Sequence, residues 1–349
     1  MLKDWRTAIF LFGSMLMSAA VAAQQSHPAK QAAQDRIYLD VVVTHKSGPP
    51  ISGLQQEDFT VLDNKVQQSI DTFRALSGKE EPIEVVLVID DVNTGIEHVA
   101  FERTEIDKLL QANGGHLAHP TALAFLTDEG LRVQNDFSRD GNAMSQEMNA
   151  YPIGLHTVLR SGGYWSATER FDLSLNALLQ LANREAARPG RKMILWISPG
   201  WPLLSTPGVE AQMDSLQQQQ IFTNVVKVAN LMREGRITLY SIDPLGTVEP
   251  PERAYYWEEF VKGINKPGDA QYGNLALQVF AAQSGGLALT AGNDITAFLQ
   301  RCLADSEAYY EISYIPTLGD ARGPYHHVEV RVAKSGLAAR ARQGYYAQH

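Results

Sequence analysis

Five short apolar runs, at residues 85–89, 121–125, 193–197, 237–242 and 287–289, constrain this chain more than any other feature. Each is strand-sized, and the stretches between them carry helical periodicity. Residues 101–111 place Ile106, Leu109 and Leu110 on one face, and residues 171–187 do the same with Leu175, Leu178, Leu179 and Ala182. Strands separated by helices have to run parallel, because parallel neighbours need a crossover connection. The expected fold class is therefore α/β, a doubly wound and mostly parallel sheet. One exception is predicted at residues 131–137. Asp128-Glu129-Gly130 reads as a hairpin turn, so this strand pairs antiparallel with 121–125 at a sheet edge.

The flanks have a different texture. Residues 36–75 alternate in the manner of β-strands, with turns at Ser47-Gly48-Pro49-Pro50 and around Asp63-Asn64, and alternation returns at 309–315 and 327–332. A polar stretch, Ser77 to Glu81, marks a boundary, and 318–324 reads as a loop. Two β segments around an α/β region are most simply one β-sandwich with the α/β region inserted into it, since each segment alone has too little core. The expected division is residues 1–23 as signal peptide, 24–35 as disordered linker, 36–80 and 305–349 as the two parts of the sandwich, and 81–304 as the inserted domain.

The signal-peptide reading rests on Lys3 and Arg6, an apolar run over residues 8–23, and the small residues Ala20-Val21-Ala22 before Gln24-Gln25. It predicts export to the periplasm or the extracellular space, with no membrane attachment after cleavage. Cys302 is the single cysteine, so no intramolecular disulfide is available. Stability has to come from a hydrophobic core, for which 349 residues at 44% hydrophobic content suffice. A formal net charge of -9 argues against nucleic acid as a partner, because phosphates would be repelled.

The sequence VVLVIDDVNT at residues 85–94 carries the most chemistry. As a buried strand it delivers Asp90, Asp91, Asn93 and Thr94 to the carboxyl edge of the sheet, where ligands bind in open α/β folds. Oxygen ligands there suit a hard cation or a hydrogen-bonded partner. The other reading is structural, with Asn93 or Thr94 as N-cap of the following helix. Asp243 ends the run 237–242 beside the same crevice and either orients a ligand or closes the strand turn. His116 with His119, and His326 with His327, lack a third ligand at metal-binding spacing and read as exposed loop histidines. Ser198 follows a strand, but Trp196 stands where a nucleophile elbow needs glycine, and neither a phosphate-binding loop nor H-E-x-x-H is present. The chain is not expected to be an enzyme, a hydrolase being the remote alternative. Tyr164, Trp165, Trp201, Tyr255, Tyr256 and Trp257 fall in predicted loops, where exposed aromatics act as interface anchors.

In order along the chain, DFTVLDN, VVLVIDDVNT, RKMILWISPGWPL, ITLYSIDPLG, YYEISYIP and ARARQGYYA resemble the von Willebrand factor A domain, and more closely the acidobacterial VWFA-related family of exported proteins. The resemblance implies a Rossmann-like sheet with a metal-ion-dependent adhesion site at the carboxyl ends of its strands, in which D-x-S-x-S, a loop Thr and an Asp after the fourth strand surround Mg²⁺, with a protein partner completing the coordination. This chain departs from the pattern twice. Val92 replaces the middle Ser, and Ser198-Pro199-Gly200 replaces T-D-G, so the distal carboxylate is missing. Asp90, Thr94, Thr168 and Ser198 remain as candidate ligands, and the expectation is weak Mg²⁺ or other divalent-cation binding at most, more simply none. The function expected is exported, non-enzymatic protein recognition or adhesion at the strand-end crevice through Asp91, Asn93, Trp165, Trp201 and Asp243. The alternative is a structural or assembly component of the cell envelope with no ligand there.

Overall fold

A computed structural model describes residues 36–347 apart from 47, 78–79, 82, 153–162, 203, 205–212, 246–254, 291, 293 and 317–322. The signal peptide and linker expected at 1–35 lie outside the described residues, as do most of the loop expected at 151–166 and of that at 318–324. Among the described residues no helix is long and apolar enough to cross a membrane.

The flanking segments form two four-stranded antiparallel sheets. The first has the order β14 (Leu337–Arg340), β1 (Ile37–His45), β12 (Tyr309–Tyr314), β4 (Thr72–Leu76), and the second the order β15 (Gly344–Tyr346), β13 (Tyr325–Val332), β2 (Phe59–Asp63), β3 (Val66–Gln68). Both sheets mix strands from the two ends of the chain, as one sandwich requires. Strand periodicity then sorts the side chains. Ile37, Leu39, Val41 and Val43 of β1 join Tyr310, Ile312 and Tyr314 of β12 in the sandwich core. The intervening residues of the same strands face the α/β region, where Val42 and Tyr309 enter its core. The turn between β2 and β3 places Asn64 and Lys65 in the left-handed region (φ 48° and 70°), as a two-residue hairpin demands.

Inside the sandwich, the Asp63 carboxyl group ties the sheets together. It accepts from Tyr314 Oη at 3.0 Å and Tyr345 Oη at 2.8 Å, and lies 2.9 Å from His326 Nδ1. His326 is therefore a partly buried structural residue rather than an exposed loop one.

The inserted region is a seven-stranded sheet with the path β11 (Ala288–Leu289), β10 (Ile237–Ile242), β9 (Lys192–Ile197), β5 (Glu84–Asp90), β6 (His116–Thr127), β7 (Gly130–Val133), and β8 (Ser138–Asp140) pairs with β6 off this path. Pairs from β11 through β6 are parallel, and β6–β7 is the expected antiparallel hairpin with Thr127 opposite Gly130. Numbered from β5 and leaving β8 aside, the order is 3-2-1-4-5-6, whose reversal point falls between β5 and β9. One face of the sheet packs on α3 (Gly163–Ala186) and α4 (Ser215–Glu234), through Phe171, Leu178, Val225 and Val228. The other packs on α1 (Ile96–Gly115), α2 (Gly141–Ala150) and α6 (Ile295–Ala304), through Val99, Ile106, Met148 and Leu299. Helix α5 (Leu277–Gln283) precedes β11.

Two local expectations change. Strand β6 begins at His116, not 121, because an irregularity in its pairing with β8 between His116 and Thr121 accommodates Pro120, which has no N–H for the ladder. This buries His119, whose Nε2 lies 2.7 Å from Ser306 Oγ, so it too is not an exposed loop residue. The strand expected at 131–137 stops at Val133, where the Gln134 side chain takes the Leu123 N–H at 2.7 Å, and β8 is a separate strand beyond the expected range.

The sandwich meets the strand amino-edge of the sheet through arginines. Arg236 pairs with Asp40 at 2.5 Å and Glu311 at 2.6 Å, Arg191 lies 4.4 Å over the Tyr309 ring, and Arg340 pairs with Asp305 at 2.5 Å. Together these parts form one compact unit, Arg36–His349. Replacing Asp63 by Ala removes the acceptor of the buried Tyr314 hydroxyl and leaves Tyr345 Oη and His326 Nδ1 only each other, at 3.1 Å. Asp63→Ala is expected to lower stability by about 2–4 kcal/mol, read as a lower urea midpoint with unchanged slope.

Candidate functional site

The reversal point of the sheet opens at the carboxyl ends of β5 and β9, and Asp90 and Ser198 stand there. Contrary to the sequence expectation of an exposed edge, Asp90 is 0% exposed. Period-2 alternation puts it on the same face as Val86 and Val88, beneath α3, and its oxygens are already engaged. Oδ1 accepts Asn93 N at 3.0 Å, and Oδ2 accepts Asn93 Nδ2 at 2.9 Å and Trp196 Nε1 at 3.1 Å. Asn93 also donates from Nδ2 to Ser174 Oγ at 2.8 Å. Burial raises the Asp90 carboxyl above its ordinary range, against the hydrogen bonds from Asn93, Trp196 and Ser198.

The remaining predicted residues divide between this cluster and other places. Asp91 is buried on the opposite face, 3.5 Å from Arg103 Nη2, and Arg103 Nη1 donates to Tyr151 O at 2.6 Å. Thr94 is buried beside Glu102. Neither Asn93 nor Thr94 caps α1; the N-cap is Gly95, since both preceding side chains turn inward to carboxyl groups. Ser198 is buried, and its Oγ accepts Gly200 N at 3.2 Å. Asp243 is buried and closes the turn after β10 by accepting Leu245 N at 2.8 Å. Thr168 does not join the cluster, because its hydroxyl donates to Tyr164 O one turn back in α3. Trp201, expected as an exposed anchor, is 5% exposed and packs in the core, edge-on to Trp196 at 5.8 Å and Phe171 at 6.2 Å. Trp165 is 82% exposed and Tyr164 54%, in the first turn of α3 rather than in a loop.

Two participants were missed from sequence, and both left a signal. Glu102 lies on the buried stripe of α1 with Val99 and Ile106, a charged residue at core spacing. Trp196 sits within an all-buried strand, where an indole N–H requires an acceptor, and Asp90 on the neighbouring strand is that acceptor.

A divalent cation does not fit this donor set. N–H groups, the positive ends of their dipoles, point at both Asp90 oxygens where a cation would need free lone pairs. Val92 is packed in the core, and Thr168 is turned away. Among the described residues no group of three or more His, Cys, Asp or Glu is arranged to hold a metal ion.

Glu102 gives the site a pH signature. Burial, then the charges of Asp90 and Asp91, hold its carboxyl well above the ordinary range, and the Thr94 hydroxyl offsets only part of this. The folded state therefore keeps a proton that the unfolded state releases near pH 4.5. Stability from this group is complete below that value and falls as pH rises toward the folded-state value. Glu102→Gln, which cannot ionise, is expected to lose less melting temperature than wild type between pH 5 and 9, measured by thermal denaturation across pH. In the core nearby, Trp201→Ala is expected to cost about 3–5 kcal/mol, read by denaturant titration.

No family model and no curated protein matches the chain. Solved structures similar to it include the pilus adhesin SpaC from Lactobacillus rhamnosus GG, at 10% identity over 85% of this chain and 49% of that one with a TM-score of 0.39. Others are proximal thread matrix protein 1 from the mussel byssus, at 9% identity over 65% and 48% with a TM-score of 0.36, and BatB from Bacteroides thetaiotaomicron, at 11% over 64% and 98% with 0.33. The chain thus spans about half the length of the adhesin and byssus chains. At these scores the likeness is distant, and the architecture stands on the strand order itself.

Proposed function

We propose that this protein is a non-enzymatic protein-recognition module, acting outside the cytoplasm, which binds a protein partner at the strand carboxyl-edge without a bridging cation. The carrying observation is Trp165, 82% exposed beside Tyr164 at the start of α3. A large aromatic side chain left in water forgoes burial that a partner can supply, at little entropic cost. In a βαβ unit the helix begins at the strand carboxyl end, so the first turns of α1, α3 and α4 share that edge. Ile96 and Leu216, both exposed, open α1 and α4 there.

The polar groups beneath support a positioning role rather than a chemical one. Asp90, Asn93, Ser174 and Trp196 bond to one another, and Ser198 is buried with its oxygen taken by a backbone N–H. A nucleophile needs an exposed oxygen and a base within hydrogen-bond reach. Export rests on the charged and apolar pattern of residues 3–23.

The test is capture of partners from cell-envelope extract by the wild type, by Trp165→Ala and by wild type with chelator. Capture is expected to survive chelation and to weaken about tenfold or more in Trp165→Ala, with the melting temperature unchanged. Loss of capture on chelation, or equal capture by Trp165→Ala, overturns the reading.

A further inference from the structure

The outward face of α3 sets its exposed indole beside two carboxylates that no cation balances. Trp165, Glu169 and Asp172 stand at i, i+4 and i+7, so all three lie along one side of the helix, within about 10 Å at a rise of 1.5 Å per residue. All three are exposed. Tyr164 stands edge-on to Trp165 at 6.2 Å. Tyr272 links the group to α4: burial, then Tyr164, then Asp172 and the α4 N-cap Asp214 raise its hydroxyl above the ordinary range, so all four residues share one neighbourhood.

Elsewhere on the surface, acids are matched by bases three positions away, as Glu129 is with Arg132 at 2.6 Å and Asp269 with Lys266 at 3.7 Å. Glu169 and Asp172 have no such counterpart. Neither makes an ion pair among the described residues, and neither has Lys or Arg three or four positions away in α3. They are instead three apart from each other, a like-charge spacing that weakens a helix. Both lie beyond the first turn of α3, where the helix dipole no longer favours an acid. Burial lowers the Arg170 guanidinium, and the charges that oppose this are Asp90 and Asp128, not Glu169 or Asp172. Partial desolvation, with no cation to offset it, raises the Asp172 carboxyl above its ordinary range. Folding therefore explains neither the position of these two acids nor that of the indole.

We propose that the group received on this face is a lysine or arginine side chain from a basic segment of the protein partner, seated on the Trp165 ring with Glu169 and Asp172 as its counter-charges. The inference deepens the recognition role of the carboxyl edge and depends on it. A cation is attracted to the face of an indole, and a partner that covers both ring and carboxylates strengthens each attraction by excluding water. A formal net charge of -9 steers a basic partner toward this chain from a distance.

The test is titration calorimetry of the full chain with four capped peptides, pentalysine, pentaarginine, pentaglutamine and pentaglutamate, at fixed ionic strength. At least one basic peptide is expected to bind, about fivefold or more weaker in Trp165→Ala and in the double variant Glu169→Gln/Asp172→Asn, and weaker with added salt. Glu57→Gln/Glu307→Gln, which removes the same charge from exposed positions elsewhere, is expected to bind as wild type does. The Glu169→Gln/Asp172→Asn variant is expected to melt no lower than wild type, because a repulsion is relieved. No binding of a basic peptide, preference for pentaglutamine or pentaglutamate, equal binding by that variant and wild type, the same loss in the control, or a lower melting temperature overturns the proposal. The recognition role falls separately: an envelope partner whose capture depends on Trp165 but not on Glu169 and Asp172 keeps that role and removes the cationic group.

Discussion

Everything in the described molecule is organised around β12. It runs antiparallel to β1 on one side and to β4 on the other, with Ile37 opposite Tyr314 and Leu76 opposite Tyr309. This pairing brings the two ends of the sequence into one sheet, and the α/β region is what lies between them. Because side chains alternate along a strand, the same six residues serve two cores. Tyr310, Ile312 and Tyr314 fill the sandwich, while Tyr309 enters the α/β core and Glu311 meets Arg236. A slip of one residue would exchange these faces and put Glu311 into an apolar interior.

At the opposite edge of the sheet, the Asp90 oxygens are taken by N–H donors. An aspartate at a strand end needs compensation when buried, by a cation or by N–H donors. Here Asn93 and Trp196 supply the donors, and Val92 continues the apolar packing below. Polar groups that satisfy one another hold the loop after β5 in one geometry. The exposed side chains at the first turns of the helices, Ile96, Trp165 and Leu216, take no part in this network.

The architecture was legible because it is written in repeating patterns. Apolar runs bounded by helical periodicity located five strands to within a few residues, apart from the early start of β6, and Asp128-Glu129-Gly130 located the hairpin. What was not legible depends on residues distant in sequence. Pro120 argues locally for a loop, yet a pairing irregularity absorbs it. Trp201 follows Pro199-Gly200 and reads as a surface loop, but Phe171 and Phe280, from two other helices, close over it. Asn93 looks like a helix cap until Asp90 and Ser174 claim its amide. Candidate ligands share an edge of a sheet by topology, but the direction each side chain takes is decided by partners no motif records.

The double duty of β1 and β12 bears on how the protein can be divided. Excising residues 81–304 would take away Val42 and Tyr309 from one side of the α/β core and leave Arg191 and Arg236 without the groups they face. A fragment cut at those limits would expose apolar surface and unpaired guanidinium groups together, a combination that favours self-association over solubility. The inserted region is thus not a bead that can be moved between strings: transplanting it to another scaffold requires carrying the first sheet of the sandwich along as its floor.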